Sequence, residues 1–230
     1  MKKIRLVMGA MLVILMFAAS GAHADTLAVG NVIQLKDKTN YGDTNGGAFE
    51  LWMGSAYQFD TFCMETNEYF TYGEDLTVAG ISKAAMSGGS GGAVDGKDPL
   101  DDRTAYLYYN FRMNTLSSLT GGLFNYTAGN TSANALQKVI WYFENEIFTA
   151  PIINTAESTL YNKLLSLANT ATASERTIAF NNVSVLNLKT ATGGNSQDTL
   201  TLTSVPEPAT MLLLGLGLIG LAGALRRFKA

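Results

Sequence analysis

The chain has 230 residues with sixteen Lys and Arg against nineteen Asp and Glu, a net charge of −3, one histidine and one cysteine. Six of the cations sit at the two ends, so residues 25–204 carry ten cations against eighteen acids, near −8, a poor match for nucleic acid or anionic lipid. The lone His23 lies in a leader that is expected to be removed, which excludes Ser-His and Cys-His hydrolase chemistry and the usual histidine-bearing zinc sites from the remainder; the single Cys63 excludes an internal disulfide.

Lys2, Lys3 and Arg5 precede an apolar run from Leu6 to Ala19, and the segment closes on Ala22-His23-Ala24. A cationic start, a short apolar core and small residues at the cleavage positions predict an export signal over 1–24, cut by signal peptidase after Ala24. The 180 residues of 25–204 suit one domain with a substantial core.

From Thr26 to about Met64 the pattern is that of β-structure. Leu27, Val29, Val32, Ile33 and Leu35 form one apolar stretch, Phe49, Leu51 and Met53 alternate with Glu50 and Trp52, and Tyr57 to Met64 is rich in aromatics and Thr. Turns are expected at Tyr41-Gly42-Asp43 and Asn45-Gly46-Gly47. Ser87 to Gly92, SGGSGG, reads as a flexible loop inside the domain. A helix over 99–118 follows, with Asp98 as its cap, Pro99 in the first position and Asp101 and Asp102 at the positive end of its dipole. The spacing of Leu136, Val139, Ile140, Phe143 and Ile147 predicts a second helix over 132–148, and Leu160, Leu164 and Leu167 a third over 156–170. Strands are expected at 176–189 and 198–203. Strands first, helices in the middle and strands last give an α+β fold: a β-sandwich or barrel-like sheet with an insert of about three helices.

At the other end, Val205-Pro206-Glu207-Pro208 resists both helix and sheet. Ala209 to Leu225 is uncharged and rich in Leu, Gly and Ala, and as a helix reaches about 26 Å, enough to cross a bilayer. Arg226, Arg227 and Lys229 follow and hold that end in the cytoplasm. This order over 205–230 resembles the PEP-CTERM sorting signal. The resemblance implies recognition by an exosortase, a membrane peptidase of exopolysaccharide-making Gram-negative bacteria, and a cell-surface or matrix destination reached from an inner-membrane-anchored precursor.

Cys63 lies in Phe59-Asp60-Thr61-Phe62-Cys63-Met64, where a cysteine is most often a small buried hydrophobe. In the second predicted helix, Gln137 and Trp141 are four residues apart and share a face. Phe62-Cys63 together with Leu136-Gln137-Lys138-Val139-Ile140-Trp141 resembles the Cys-Gln thioester domains of bacterial surface adhesins. The resemblance implies an internal thioester between Cys63 and Gln137, shielded from water by Phe62 and Trp141. An amine on a partner surface would open it, so that the protein attaches covalently once and is no enzyme. The alternative is a passive structural or carbohydrate-binding matrix protein with a free buried Cys63. Neither cofactor nor metal is expected. Asp95, Asp98, Asp101 and Asp102 around Gly96 offer oxygens that calcium could use, but lack the EF-hand spacing and are better read as helix caps. Glu65 with Glu68, or Glu144 with Glu146, are formal carboxylate pairs for glycoside cleavage, with nothing to choose between them.

Overall fold

The computed structural model describes residues 27–43, 46–86, 89–91, 93–147 and 155–203, all within one compact unit, Ala24–Ser204. The export signal and the C-terminal segment from 204 lie outside the described residues. Among the described residues no helix is long and apolar enough to cross a membrane.

The architecture is α+β. The strands are β1 (Val32–Asp43), β2 (Gly46–Met53), β3 (Ala56–Thr61), β4 (Leu76–Ser82), β5 (Ala84–Ala85) and β6 (Asp98–Pro99). The helices α1 (Asp102–Arg112), α2 (Leu116–Leu119), α3 (Asn130–Phe143), α4 (Thr155–Thr170) and α5 (Ala173–Asn182) follow, with a 3-10 turn at Tyr126–Ala128, and β7 (Val183–Thr190) and β8 (Thr199–Leu202) close the chain. Six strands form one antiparallel sheet in the order β3-β2-β1-β4-β7-β8; β5 and β6 form a separate pair.

The sheet curls until its two edges meet. Just past β3, the Phe62 carbonyl accepts from Leu200 N–H (3.2 Å), Met64 N–H donates to the Asp198 carbonyl (3.1 Å), and Cys63 is bridged to Thr199. Thr61 Oγ1 donates to the Leu200 carbonyl at 2.6 Å, and Tyr108 of α1 donates to the same oxygen at 3.0 Å. A sheet whose edges satisfy each other offers no open ladder to another chain. Ile33, Leu35, Leu51, Phe59, Leu76, Val78, Leu186 and Leu188 make one apolar cluster across the strands, each almost fully removed from water.

Several local expectations are corrected. The chain does not turn at Tyr41-Gly42-Asp43: β1 runs through it, and Gly42 and Asp43 pair with Gly47 and Gly46 of β2. Gly47 has φ +129, and a Cβ there would come within 2.5 Å of the Gly42 Cα, so only glycine fits. The helix predicted from Pro99 starts later, because Pro99 and Asp98 belong to β6 and Asp101 is the cap, accepting from Arg103 N–H at 2.7 Å. It also stops earlier, at Arg112. Asn114 takes a left-handed conformation (φ 56), and α2 begins two residues on. The second helix ends at Phe143 rather than 148, with Asn145 left-handed (φ 59) just beyond.

The largest correction concerns the strand expected over 176–189. Its first half is α5, which starts on a capping box: Glu175 N–H donates to Thr172 Oγ1, and the Glu175 carboxylate accepts from Thr172 N–H. The helix passes directly into β7, and Lys83 Nζ gathers the carbonyls of Phe180, Asn181 and Val183 at that junction. There are therefore five α-helices among the described residues, not about three.

Candidate functional site

Helix α3 lies against β1, β2 and α4 and is buried nearly all round, which explains why its polar residues are placed with such economy. Lys138 pairs with Glu157 of α4 at 2.5 Å. Gln137, one residue before, is 1 % exposed and reaches the main chain of Cys63. Cys63 N–H donates to Gln137 Oε1 at 2.9 Å, and Gln137 Nε2 donates back to the Cys63 carbonyl at 2.9 Å. Gly47 N–H adds a longer bond to the same Oε1, 3.4 Å. Two residues 74 apart in sequence are thus held together by a closed pair of hydrogen bonds, in a place from which water is excluded. Each such bond contributes about 1 kcal/mol, and a buried amide left without partners would cost more than that.

The Cys63 side chain packs with Phe49 and Trp141, with Phe70 and Ile147 against them. Burial holds its thiol well above the ordinary range, and the Glu65 carboxylate two residues on pushes the same way. Cys63 is therefore a neutral thiol here rather than a thiolate.

Cys63 lies in the wall of a cavity of about 500 Å³ shared with Phe49, Phe70, Tyr72, Trp141 and Glu65. Phe49 and Phe70 meet edge to face, centroids 5.0 Å apart, and Tyr72 closes on Phe70 at 5.4 Å. Trp141 packs with Cys63, whereas Phe62 packs on Phe111 of α1 at 5.1 Å, fully buried. The aromatic cover over Cys63 comes instead from Phe49, Phe70 and Tyr72, residues that sequence reasoning did not single out. The nearness of Phe49 to Cys63 becomes visible only once the register Phe49↔Thr61 is known.

The acidic residues divide into spent and unspent groups. Of the aspartates considered for calcium, Asp101 caps α1 and chelates Arg103 (2.6 and 2.8 Å), and Asp102 pairs with Arg176 at 3.1 Å. Asp98 is buried with one oxygen unpartnered, and Asp95 sits in a left-handed turn (φ 53); the four do not converge on a common point. Glu144 accepts from Asp101 N–H, whereas Glu146 accepts from Thr66 N–H and Oγ1, both 2.8 Å, and from Gly91 N–H at 3.4 Å. Glycine is needed at position 89 for a reason of space: a Cβ there would fall on the Glu146 carboxylate. Glu65, Glu68 and Asp198 do converge, and they lie beside the Cys63 cavity.

A second cavity, about 550 Å³, is lined by Tyr57, Asp60, Arg112 and Tyr126 among others. Asp60 there is fully engaged, accepting from Lys38 Nζ (2.7 Å), Tyr126 OH (2.8 Å) and Tyr57 OH (3.1 Å).

Residues 204–227 match the PEP-CTERM protein-sorting motif. That motif supports an exported surface protein sorted by an exosortase and implies a membrane-anchored precursor, with Val205-Pro206-Glu207-Pro208 and Arg226-Arg227 inside the matched span. No curated protein and no solved structure matches the chain.

Proposed function

We propose that this PEP-CTERM surface protein is a single-use covalent adhesin whose reactive group is a thioester between Cys63 and Gln137. The reading rests on one observation above all: the Gln137 side-chain amide is clamped on the Cys63 main chain by two 2.9 Å hydrogen bonds, away from water. In the condensation, Cys63 sulfur bonds to the Gln137 amide carbon, the C–N bond breaks, and the thiol proton leaves with the nitrogen as ammonia. Because the thiol is neutral, its proton moves with the attack, and no imidazole is needed. The N–H groups of Cys63 and Gly47 both point at Gln137 Oε1, where negative charge gathers in the tetrahedral intermediate. Proximity supplies the remainder, since the Gln137 amide is held on the main chain of the same residue that carries the thiol.

The aromatic lining of Phe49, Phe70, Tyr72 and Trp141 would slow hydrolysis, and an amine entering the cavity would displace Cys63 and become amide-linked to Gln137. The target is a surface amine, on a partner protein or on an amine-bearing exopolysaccharide. A second reading is favoured by the same hydrogen bonds: they give both polar atoms of the Gln137 amide a partner without a thioester, as in a passive matrix protein that keeps a free Cys63.

The intact mass of the exported protein separates the two. The adhesin reading expects a mass short by one ammonia, restored to the sequence value in both Cys63→Ala and Gln137→Ala, and a methylamine adduct in wild type alone. A full mass with one thiol that titrates after denaturation, in protein isolated under conditions that spare thioesters, would leave the passive reading.

A further inference from the structure

We propose that Glu65, Glu68 and Asp198 form a binding site for one hard divalent cation, calcium, in the wall of the Cys63 cavity. Each offers a carboxylate oxygen, and these oxygens all lie within 4.8 Å of one another. Glu65 is fully buried, yet neither of its carboxylate oxygens has a hydrogen-bond donor, and Glu68 Oε2 is buried and unpartnered as well. A buried carboxylate is normally paired with a cation, hydrogen-bonded or bound to a metal. The groups that act on Glu65 most strongly are Glu68, Asp198 and Glu146, all of them acids.

Without an ion, Glu65 and Glu68 can face each other only by sharing a proton. An ion removes that conflict by giving the same oxygens a positive partner.

Asp198 behaves as a prepared ligand. Its Oδ1 accepts from Leu188 N–H at 2.8 Å, and its Oδ2 accepts from Met86 N–H at 2.8 Å and Asn187 Nδ2 at 2.9 Å, which fixes the carboxylate plane. Outer hydrogen bonds of this kind orient metal ligands. The donor set is oxygen only, which selects hard ions over zinc or copper. Calcium is favoured over magnesium because it accepts irregular sets of six to eight oxygens, and the cavity of about 500 Å³ has room for the waters that complete them. The three carboxylates come from the segment after β3 and the residue before β8, the two edges where the sheet closes. An ion there would tie the closure.

Calorimetric titration of the exported protein with calcium chloride tests this. The expected result is one site with a dissociation constant of about 10⁻⁴ to 10⁻³ M, as in extracellular calcium modules, and weaker binding of magnesium. Glu65→Gln and the more exposed Glu68→Gln should each weaken calcium binding at least tenfold. Cys63→Ala should leave it unchanged, so the site stands or falls independently of the thioester. Saturating calcium should raise the thermal midpoint of the wild type by several degrees and that of Glu65→Gln by much less. A wild type indifferent to calcium, magnesium and manganese, with an infrared band of a protonated carboxyl that Glu65→Gln removes, would overturn the proposal in favour of a shared proton. Binding of zinc alone, lost in Cys63→Ala, would overturn it too.

Discussion

Two cavities of nearly equal size, about 550 and 500 Å³, both walled by aromatic rings and both holding carboxylates, are built on opposite principles. In the first, Asp60 accepts from a lysine and two tyrosines, so every strong acceptor is already used. In the second, Glu65 and Glu68 have unpartnered oxygens, and Cys63 lies beside a glutamine amide hydrogen-bonded to the Cys63 backbone. Size and aromatic lining do not distinguish them. Unspent polar capacity does, because evolution of stability alone would have removed it.

The comparison is broken most severely at Asp60. Asp60→Ala takes the nearer of two carboxylates from Lys38 and the acceptor from two tyrosine hydroxyls, and should cost about 2 kcal/mol in chemical denaturation. The matching change in the other cavity should have the opposite sign: Glu65→Leu in calcium-free buffer should gain about 1 kcal/mol, since it deletes a buried group that lacks a donor. If both variants lose stability alike, the distinction fails.

The glutamine can be tested in isolation. In a Cys63→Ala background, where no thioester can form, Gln137→Leu orphans a main-chain N–H and carbonyl and should cost about 2 kcal/mol. A loss well below that would mean the clamp is weaker than its geometry suggests.

A smaller effect is set by pH. Burial, with Glu146 adding to it, pushes the Asp98 carboxyl up to about 6, against about 4 when unfolded. The folded state then holds this proton more tightly than the unfolded one, so the contribution to stability is full below about pH 4, falls as pH rises towards 6, and is flat above. Asp198 and Glu144, also raised by burial, act in the same direction. Asp98→Asn should therefore be more stable than wild type at pH 7 and lose that advantage by pH 4, as read from denaturation midpoints at the two values.

The helices that bury a regular stripe, α3 and α4, are legible in the sequence, and so are β8 and the strands before Met64. Helix α5 is not, because Val183, Val185, Leu186 and Leu188, lying among Thr and Asn, read as a strand and carry that reading back over the residues before them. The Thr172-x-x-Glu175 box that decides the matter is a local signal of four residues, and it is easily outvoted by a run of fourteen. The break at Asn114 is set by a single left-handed residue within an otherwise helical pattern. In the site, Cys63, Gln137 and Trp141 come to attention from the sequence through the resemblance to Cys-Gln thioester domains, since each taken alone reads as ordinary core or surface. Phe49, Phe70 and Tyr72 do not, since an aromatic residue in a strand or the loop after it is ordinarily core. The convergence of Glu65 and Glu68 on Asp198, 133 residues from Glu65, depends on sheet closure and has no local signature at all.

That closure also sets a timetable. The strand that seals the sheet, β8, ends at Leu202, two residues before the sorting motif begins, so the closing edge is nearly the last part of the domain in chain order. Contacts such as Thr61 to Leu200, 139 residues apart, are among the slowest kind to form. The sheet edge beside Cys63 therefore stays open until residues near 200 are in place: the stretch of chain that finishes the fold is also the one that completes the surroundings of Cys63.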